Sequence, residues 1–356
     1  MTDSTLVTGA FGLVGTATVR RLHADGRHVV ATDLDTPANR KKAESLRGVH
    51  GVDVRWADLT DERSIAALLT DVAPTAIVHL AAMIPPLCYR RPDLARRVNV
   101  GATEALVRAA SARPAPPRFV QASSVAVYGP RNPHRHNTDL GPDTPVSPLD
   151  IYGVHKAQAE QIVRESSLNW VVLRLGGVLT ARPRFDLDLD MLYFEGLLPT
   201  DGRLHTVEVR DVARAFAAAT HAAVVGETLM IGGDPSHRLR QVDVGRETTA
   251  AMGLDGLLPN GRQGDPDSDT GWFATDWMDT RRSQEALGFQ HVSWPELLAE
   301  TRRIIGHRRR LFQLATPFAR TYLRYRAPYR QARGSLAGPW QEIARRWGQF
   351  QVPDAR

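Results

Sequence analysis

Short apolar runs and stretches with a period of about 3.6 residues alternate through the first half of the chain. The runs predict strands at 4–8, 28–33, 52–56, 75–80, 117–123 and 169–175, each closed by a polar or glycine-bearing turn. The periodic stretches, among them 13–25, 61–71 and 93–112, predict helices. Such alternation implies an α/β fold, a doubly wound parallel sheet covered by helices on both faces, since right-handed crossovers leave few other arrangements. Ligands of such sheets collect at the carboxyl ends of the strands. From residue 179 onward the pattern changes to a helix at 186–195, a strand at 204–209, a helix at 211–224, a strand at 227–232 and a helix at 295–306. These pieces break the regular alternation.

The first strand runs into Thr8-Gly9-Ala10-Phe11-Gly12-Leu13-Val14-Gly15, which opens the first helix. Glycines at this spacing allow a tight turn, an approach of backbone to a pyrophosphate, and close packing of helix on sheet. The amides around Phe11 and Leu13 then face an anion, with the positive end of the helix dipole behind them. The second strand ends at Asp33, placed to take both ribose hydroxyls of an adenosine, which selects NAD over NADP. Asp58, followed by Leu59, serves either the adenine edge or the cap of the next helix. The fourth strand ends in His79-Leu80-Ala81-Ala82. There Leu80, Ala81 and Ala82 form a surface for a flat cofactor, and His79 reads as a satisfied core histidine.

The fifth strand stops at Ser123-Ser124, and a Pro-rich loop leads to Tyr152, with Lys156 one helical turn later on the same face. An ammonium beside a phenol, together with an oxidised nicotinamide, favours phenolate and suits Tyr152 to proton transfer. Ser124 is placed to hold the substrate oxygen. Lys156 is one of three lysines among 45 basic residues, so its choice over arginine points to a specific task.

These motifs, with Asn99-Val100-x-x-Thr103, Val127-Tyr128-Gly129, Arg174, Val209-Arg210-Asp211 and Asp279-x-x-x-Ser283, resemble the extended short-chain dehydrogenases/reductases, the NAD-dependent epimerase/dehydratase family, over about residues 4–305. The resemblance implies Ser124, Tyr152 and Lys156 as the catalytic set, with Lys156 on the nicotinamide ribose and Tyr152 and Asn99 close to the cofactor. It also implies a homodimer through the helices at 93–112 and 152–167. Nucleotide-sugar members of the family carry an Asn after the sixth strand, where this chain reads Leu175-Gly176-Gly177-Val178. That difference shifts weight toward hydroxysteroids, other alcohols or carbonyls as substrates. Substrate contacts are expected from Met83, Ser123, Ser124 and Gly177, with Pro85, Pro86, Phe185, Trp272 and Phe273 as further candidates of the small lobe. The polar stretch 260–271 reads as a mobile loop able to close over the site.

The expected division is a cofactor domain over 1–178 with about 204–224, a substrate lobe over 179–203 and 225–306, and a basic tail over 307–356. With 42% hydrophobic and 24% charged residues over 356 positions, the composition is that of a globular protein. The single cysteine, Cys88, excludes an internal disulfide framework. No leader and no spanning apolar run are read, so a cytoplasmic protein is expected. The net charge of +6 is uneven: residues 302–346 carry twelve arginines and one acid, so the rest of the chain is acidic. The Arg- and aromatic-rich tail either lies on an anionic membrane or wraps the acidic body of its own dimer, and opposite charge favours the second. No nucleic acid partner and no metal site are expected. The leading function is NAD-dependent oxidation of a secondary alcohol or reduction of a carbonyl. Nucleotide-sugar epimerisation or dehydration and a non-catalytic NAD-sensing role are the alternatives.

Overall fold

The computed structural model describes residues 4–46, 48–182, 188–330 and 334–348. The first half alternates as its sequence predicts: β1 (Ser4–Thr8), α1 (Leu13–Ala24), β2 (His28–Asp33), α2 (Pro37–Ala43), β3 (Val52–Trp56), α3 (Glu62–Val72) and β4 (Ala76–His79). Two short helices, α4 (Leu87–Arg90) and α5 (Pro92–Arg96), precede a π-helical turn at Arg97–Gly101 and α6 (Ala102–Ser111). Next come β5 (Arg118–Ser124), α7 (Ile151–Arg164), β6 (Trp170–Leu175) and β7 (Gly177–Leu179). The remainder holds α8 (Leu189–Glu195), β8 (Arg203–Glu208), α9 (Val209–Ala219), β9 (Thr228–Ile231), β10 (Arg238–Arg240) and α10 (Gln241–Met252). It ends with α11 (Arg281–Leu287), α12 (Trp294–Ile305), α13 (Arg308–Arg326) and α14 (Pro339–Trp347).

Seven parallel strands form the large sheet in the order β3-β2-β1-β4-β5-β6-β9. Helices α1 and α9 pack on one face, and α3, α6 and α7 on the other, so strands with two buried faces read as continuous apolar runs. Chain order reverses between β1 and β4, which opens a crevice at their carboxyl ends. A small sheet, β10-β8-β7, carries the second lobe.

Two strands sit on the other side of the expected division. β9 joins the large sheet beside β6, pairing Thr228 with Val172 and Ile231 with Leu175, although 225–306 reads as substrate lobe. β8 belongs to the small sheet, although about 204–224 reads as cofactor domain. Both strands are short, and periodicity alone does not choose their neighbours. The helix expected over 93–112 is interrupted at Asn99, whose amide exchanges hydrogen bonds with the Met83 backbone (2.7 and 2.9 Å) from within the π turn.

A buried ion pair ties α7 to the sheet. The guanidinium of Arg174 on β6 donates from Nε and Nη2 to Glu160 on α7 (2.9 and 2.7 Å) and from Nη1 to Tyr128 Oη and the Pro142 carbonyl. Ser123 on β5 donates to the same Glu160 carboxylate. Replacing Glu160→Gln leaves the buried Arg174 charge without its counter-ion, and a loss of about 3–5 kcal/mol is expected. A lower urea midpoint at unchanged slope measures it.

Candidate active site

The glycine turn lies at the β1/β4 crevice. Gly9 takes φ +63°, and a Cβ there would stand 2.8 Å from the Ala81 amide nitrogen. A Cβ on Gly15 would stand 2.1 Å from the Gly9 carbonyl oxygen, so the contact of α1 with the turn requires its absence. Gly12 is the N-cap of α1 and supplies no side-chain acceptor, and the first turn of the helix has no acid. The helix start therefore presents its amides to an external anion.

Asp33 closes β2 and accepts from the Phe11 amide (3.1 Å) and the Leu34 amide (2.9 Å). Among the described residues it makes no ion pair. Lys42 reinforces the turn by donating to the Phe11 carbonyl (2.7 Å). The Phe11 ring packs against Trp56, while Leu13 is exposed. Asp61, not Asp58, caps α3; Asp58 instead accepts from the amide and hydroxyl of Thr60 at the surface, and Leu59 is buried beside it.

At the end of β4 the amides of Leu80 and Ala81 donate to Thr8 Oγ1, and the Ala82 position is half-buried. Thr8 Oγ1 also meets His79 Nδ1 (2.7 Å), and His79 Nε2 meets Thr103 Oγ1 (3.1 Å), whose hydroxyl donates to the Asn99 carbonyl. Burial lowers the His79 pKa to about 3, and the Lys156 charge adds to that effect. His79 is thus a neutral core link, as its apolar strand implies. Gly9, Gly12, Gly15, Asp33 and the Leu80-Ala81 backbone together fit a dinucleotide.

Ser124 ends β5 beside the start of α7. Its hydroxyl accepts from the Ala126 amide and is hydrogen-bonded to the Tyr152 side chain. Tyr152 stands in the first turn of α7, where Asp150 caps the helix by accepting from the Tyr152 and Gly153 amides. Tyr89 donates to the same buried carboxylate (2.6 Å), so one acid fixes the helix start and the apolar wall in front of it. An Asp two residues before the Tyr at a helix start is a cap pattern visible in the sequence, and it identifies Asp150 as a positioning residue.

Lys156 is buried, its Nζ 2.8 Å from the Ala122 carbonyl and 5.9 Å from the Tyr152 ring centroid. Burial lowers its pKa to about 8, against a smaller raising effect of Glu160. Within the chain itself, the effect expected of the ammonium on the phenol meets an opposing one. Burial holds Tyr152 above the ordinary phenol range, and the Ser124 hydrogen bond only partly opposes it. The ammonium is bonded to a backbone carbonyl and does not outweigh desolvation.

The substrate candidates separate. Met83 packs in the cluster that contains Tyr152, and Ser124 faces the phenol. Ser123 is buried and spends its hydroxyl on Glu160, so it is a structural residue, because successive residues of a strand point to opposite faces. Gly177 opens β7 and lines a cavity of the small lobe. Phe273 lies in the Tyr152 cluster; Trp272 is fully buried and donates to the Asp265 carbonyl. Pro85 and Pro86 lead into α4, and Phe185 lies outside the described residues. The stretch 260–271 is pinned to the body: Asn132 and Arg135 bind the carbonyls of Pro266 and Asp267, and Gly264 donates to Asp201.

The apolar wall before Tyr152 draws on the tail. Phe194, Tyr89 and Met83 meet Ile343, Trp340 and Trp347 of α14. Trp340 stacks on Phe273 (centroids 5.0 Å apart) and donates to the Trp272 carbonyl, while Tyr329 donates to the Leu197 carbonyl. This part of the tail docks through aromatic packing together with an ion pair from Arg346 to Asp190 of α8. Trp340, Ile343 and Trp347 are spaced as one helical face after Pro339, the signal by which sequence alone could have found the wall. Behind Phe194 and Leu198 lies a cavity of about 1330 Å³, bordered by Arg246, Arg326, Arg330, Arg345 and Arg346.

Residues 5–195 match the family model described as "NAD dependent epimerase/dehydratase family". The beta subunit of methionine adenosyltransferase 2 from Rattus norvegicus is 32% identical over 171 residues, covering 48% of this chain and 45% of that protein, so the chain spans less than half the length of this relative. A UDP-glucose 4-epimerase of Mycolicibacterium smegmatis is 28% identical over 316 residues, covering 83% of this chain and 96% of that protein. Among solved structures, UDP-glucuronic acid 4-epimerase from Bacillus cereus, in complex with UDP-glucuronic acid and NAD, superposes with a TM-score of 0.67 at 22% identity, covering 85% of this chain and 98% of that one. With its reversed strand order, glycine turn and assembled Ser124, Tyr152 and Lys156, the chain belongs to the NAD-dependent epimerase/dehydratase family.

Proposed function

We propose that this protein is an NAD-dependent oxidoreductase that reduces a carbonyl, or oxidises a secondary alcohol, carried on an apolar framework. The observation that carries the substrate class is the wall of Met83, Phe194, Phe273 and Trp340 in the cluster around Tyr152. A polar hexose has little to gain against such a surface, whereas an apolar ring system gains roughly 25 cal/mol per Å² buried. NAD, held by the glycine turn and Asp33, supplies the hydride acceptor, or in its reduced form the donor. Ser124 positions the substrate oxygen. Tyr152 holds the proton that this oxygen gains or loses, and its protonated form, which burial favours, is the one that donates to a carbonyl. Lys156 keeps a cation, bonded to the Ala122 carbonyl, beneath the phenol.

A second reading, nucleotide-sugar epimerisation or dehydration, is supported by the names of relatives that align over most of this chain and by the arginine-bordered cavity. A panel of apolar ketones and UDP-hexoses separates the two. Net NADH consumption with ketones is expected, and a changed sugar configuration without net NADH consumption would replace the first reading with the second. The assembled hydroxyl, phenol and ammonium speak against a purely NAD-sensing role.

Tyr152→Phe should lower turnover by about 10²-fold or more with NAD binding, measured by calorimetry, nearly unchanged. Asp33→Ala should weaken NAD by about tenfold or more and NADP far less, compared by titration with each nucleotide. Trp340→Ala should raise KM for bulky apolar substrates by about tenfold with little change in kcat, as steady-state kinetics would register.

A further inference from the structure

Helix α13 has two faces of different character. Arg309, Phe312, Thr316, Arg320 and Leu323 lie on the side turned to the body, where Arg309 and Arg320 donate to the carbonyls of Ala250 and Asp255 and where Thr316 and Leu323 are buried. Helical geometry places Leu311, Leu314, Phe318, Tyr322 and Tyr325 on the roughly opposite side. All five are exposed, Leu314 at 73% and Phe318 at 80%. The rest of the same chain does not cover this stripe.

The charge around the stripe indicates what covers it. α13 carries six arginines and no acid. Among the described residues none of the six makes an ion pair; Arg326 instead lies over the Tyr322 ring, 5.2 Å from its centroid. Arg308 and Arg326 flank the stripe on one side, Arg310 and Arg324 on the other. Burial against a second α13 would bring uncompensated cations together, and a neutral apolar partner would leave them without counter-ions.

We propose that α13 is a membrane-surface anchor that lies in the plane of an anionic bilayer. Leu311, Leu314 and Phe318 enter the acyl boundary, Tyr322 and Tyr325 sit at headgroup level, and the flanking guanidiniums bind lipid phosphates. The helix lies on the membrane and does not cross it; among the described residues no helix is long and apolar enough to span. Tyr325 and Arg326 also border the small-lobe cavity, so docking sets the rim of that cavity at the lipid surface.

The test is sedimentation of the full-length protein with vesicles of phosphatidylcholine mixed with phosphatidylserine, and with phosphatidylcholine alone. The wild type is expected to sediment with the mixed vesicles and far less with phosphatidylcholine alone. The double variant Leu314→Asp/Phe318→Asp changes only exposed side chains, and an unchanged thermal unfolding profile checks its fold. Its partition onto mixed vesicles is expected to drop by about tenfold or more. Equal sedimentation of the two proteins, or a wild type that stays in the supernatant, overturns the anchor. A wild-type oligomer that the variant splits, with no vesicle binding by either, assigns the stripe to a second copy of the chain and overturns it as well.

Discussion

The Glu160–Arg174 ion pair is the contact on which the geometry of the reactive groups depends. It joins α7 to β6, and through Ser123 and Tyr128 it takes hold of β5 and the loop that follows. Ser124 and Tyr152 sit on two of the elements so joined. A buried pair of this kind repays its desolvation only when its lone pairs and protons find partners, and here the hydroxyls of Ser123 and Tyr128, the Pro142 carbonyl and the Arg164 guanidinium supply them. At the other end of α7 the Asp150 cap fixes the first helical turn. Tyr152 is thus placed by two anchors on α7, the Asp150 cap and the Glu160–Arg174 pair.

Across the crevice a second constraint is steric. Gly9 and Ala81 bring the ends of β1 and β4 so close that a Cβ on the glycine has no space, and Thr8 stitches the same ends by accepting from the Leu80 and Ala81 amides. The turn is stiff before any phosphate arrives, which reduces the ordering that binding would otherwise require. Asp33 contributes to the same stiffness, because its carboxylate holds the Phe11 amide.

The environment of the phenol shows how competing electrostatic effects are decided by solvent. An ammonium one helical turn away favours phenolate, but Lys156 donates a hydrogen bond to a backbone carbonyl, and apolar side chains packed around the ring remove water from it. Desolvation disfavours both charged forms, raising the tyrosine and lowering the lysine. The apolar cluster around the ring therefore favours the neutral phenol.

Local pattern determined much of this protein. Strand runs at 4–8, 28–33 and 52–56, the glycine spacing, the acid ending β2 and the Tyr-x-x-x-Lys spacing each depend on residues close in sequence, and each is found as read. Sequence also carried the amphipathic spacing of Trp340, Ile343 and Trp347, though within a stretch so rich in arginine that charge obscured it. Tertiary structure alone decided that β9 joins the large sheet and β8 the small one, because strand pairing is settled by partners far along the chain. It decided that Ser123 spends its hydroxyl on Glu160, and that α14 packs into the Tyr152 cluster while α13 leaves its apolar face open. Burial is a property of the packed chain, so the ionisation of Tyr152 and Lys156 could be set only once distant segments had closed around them.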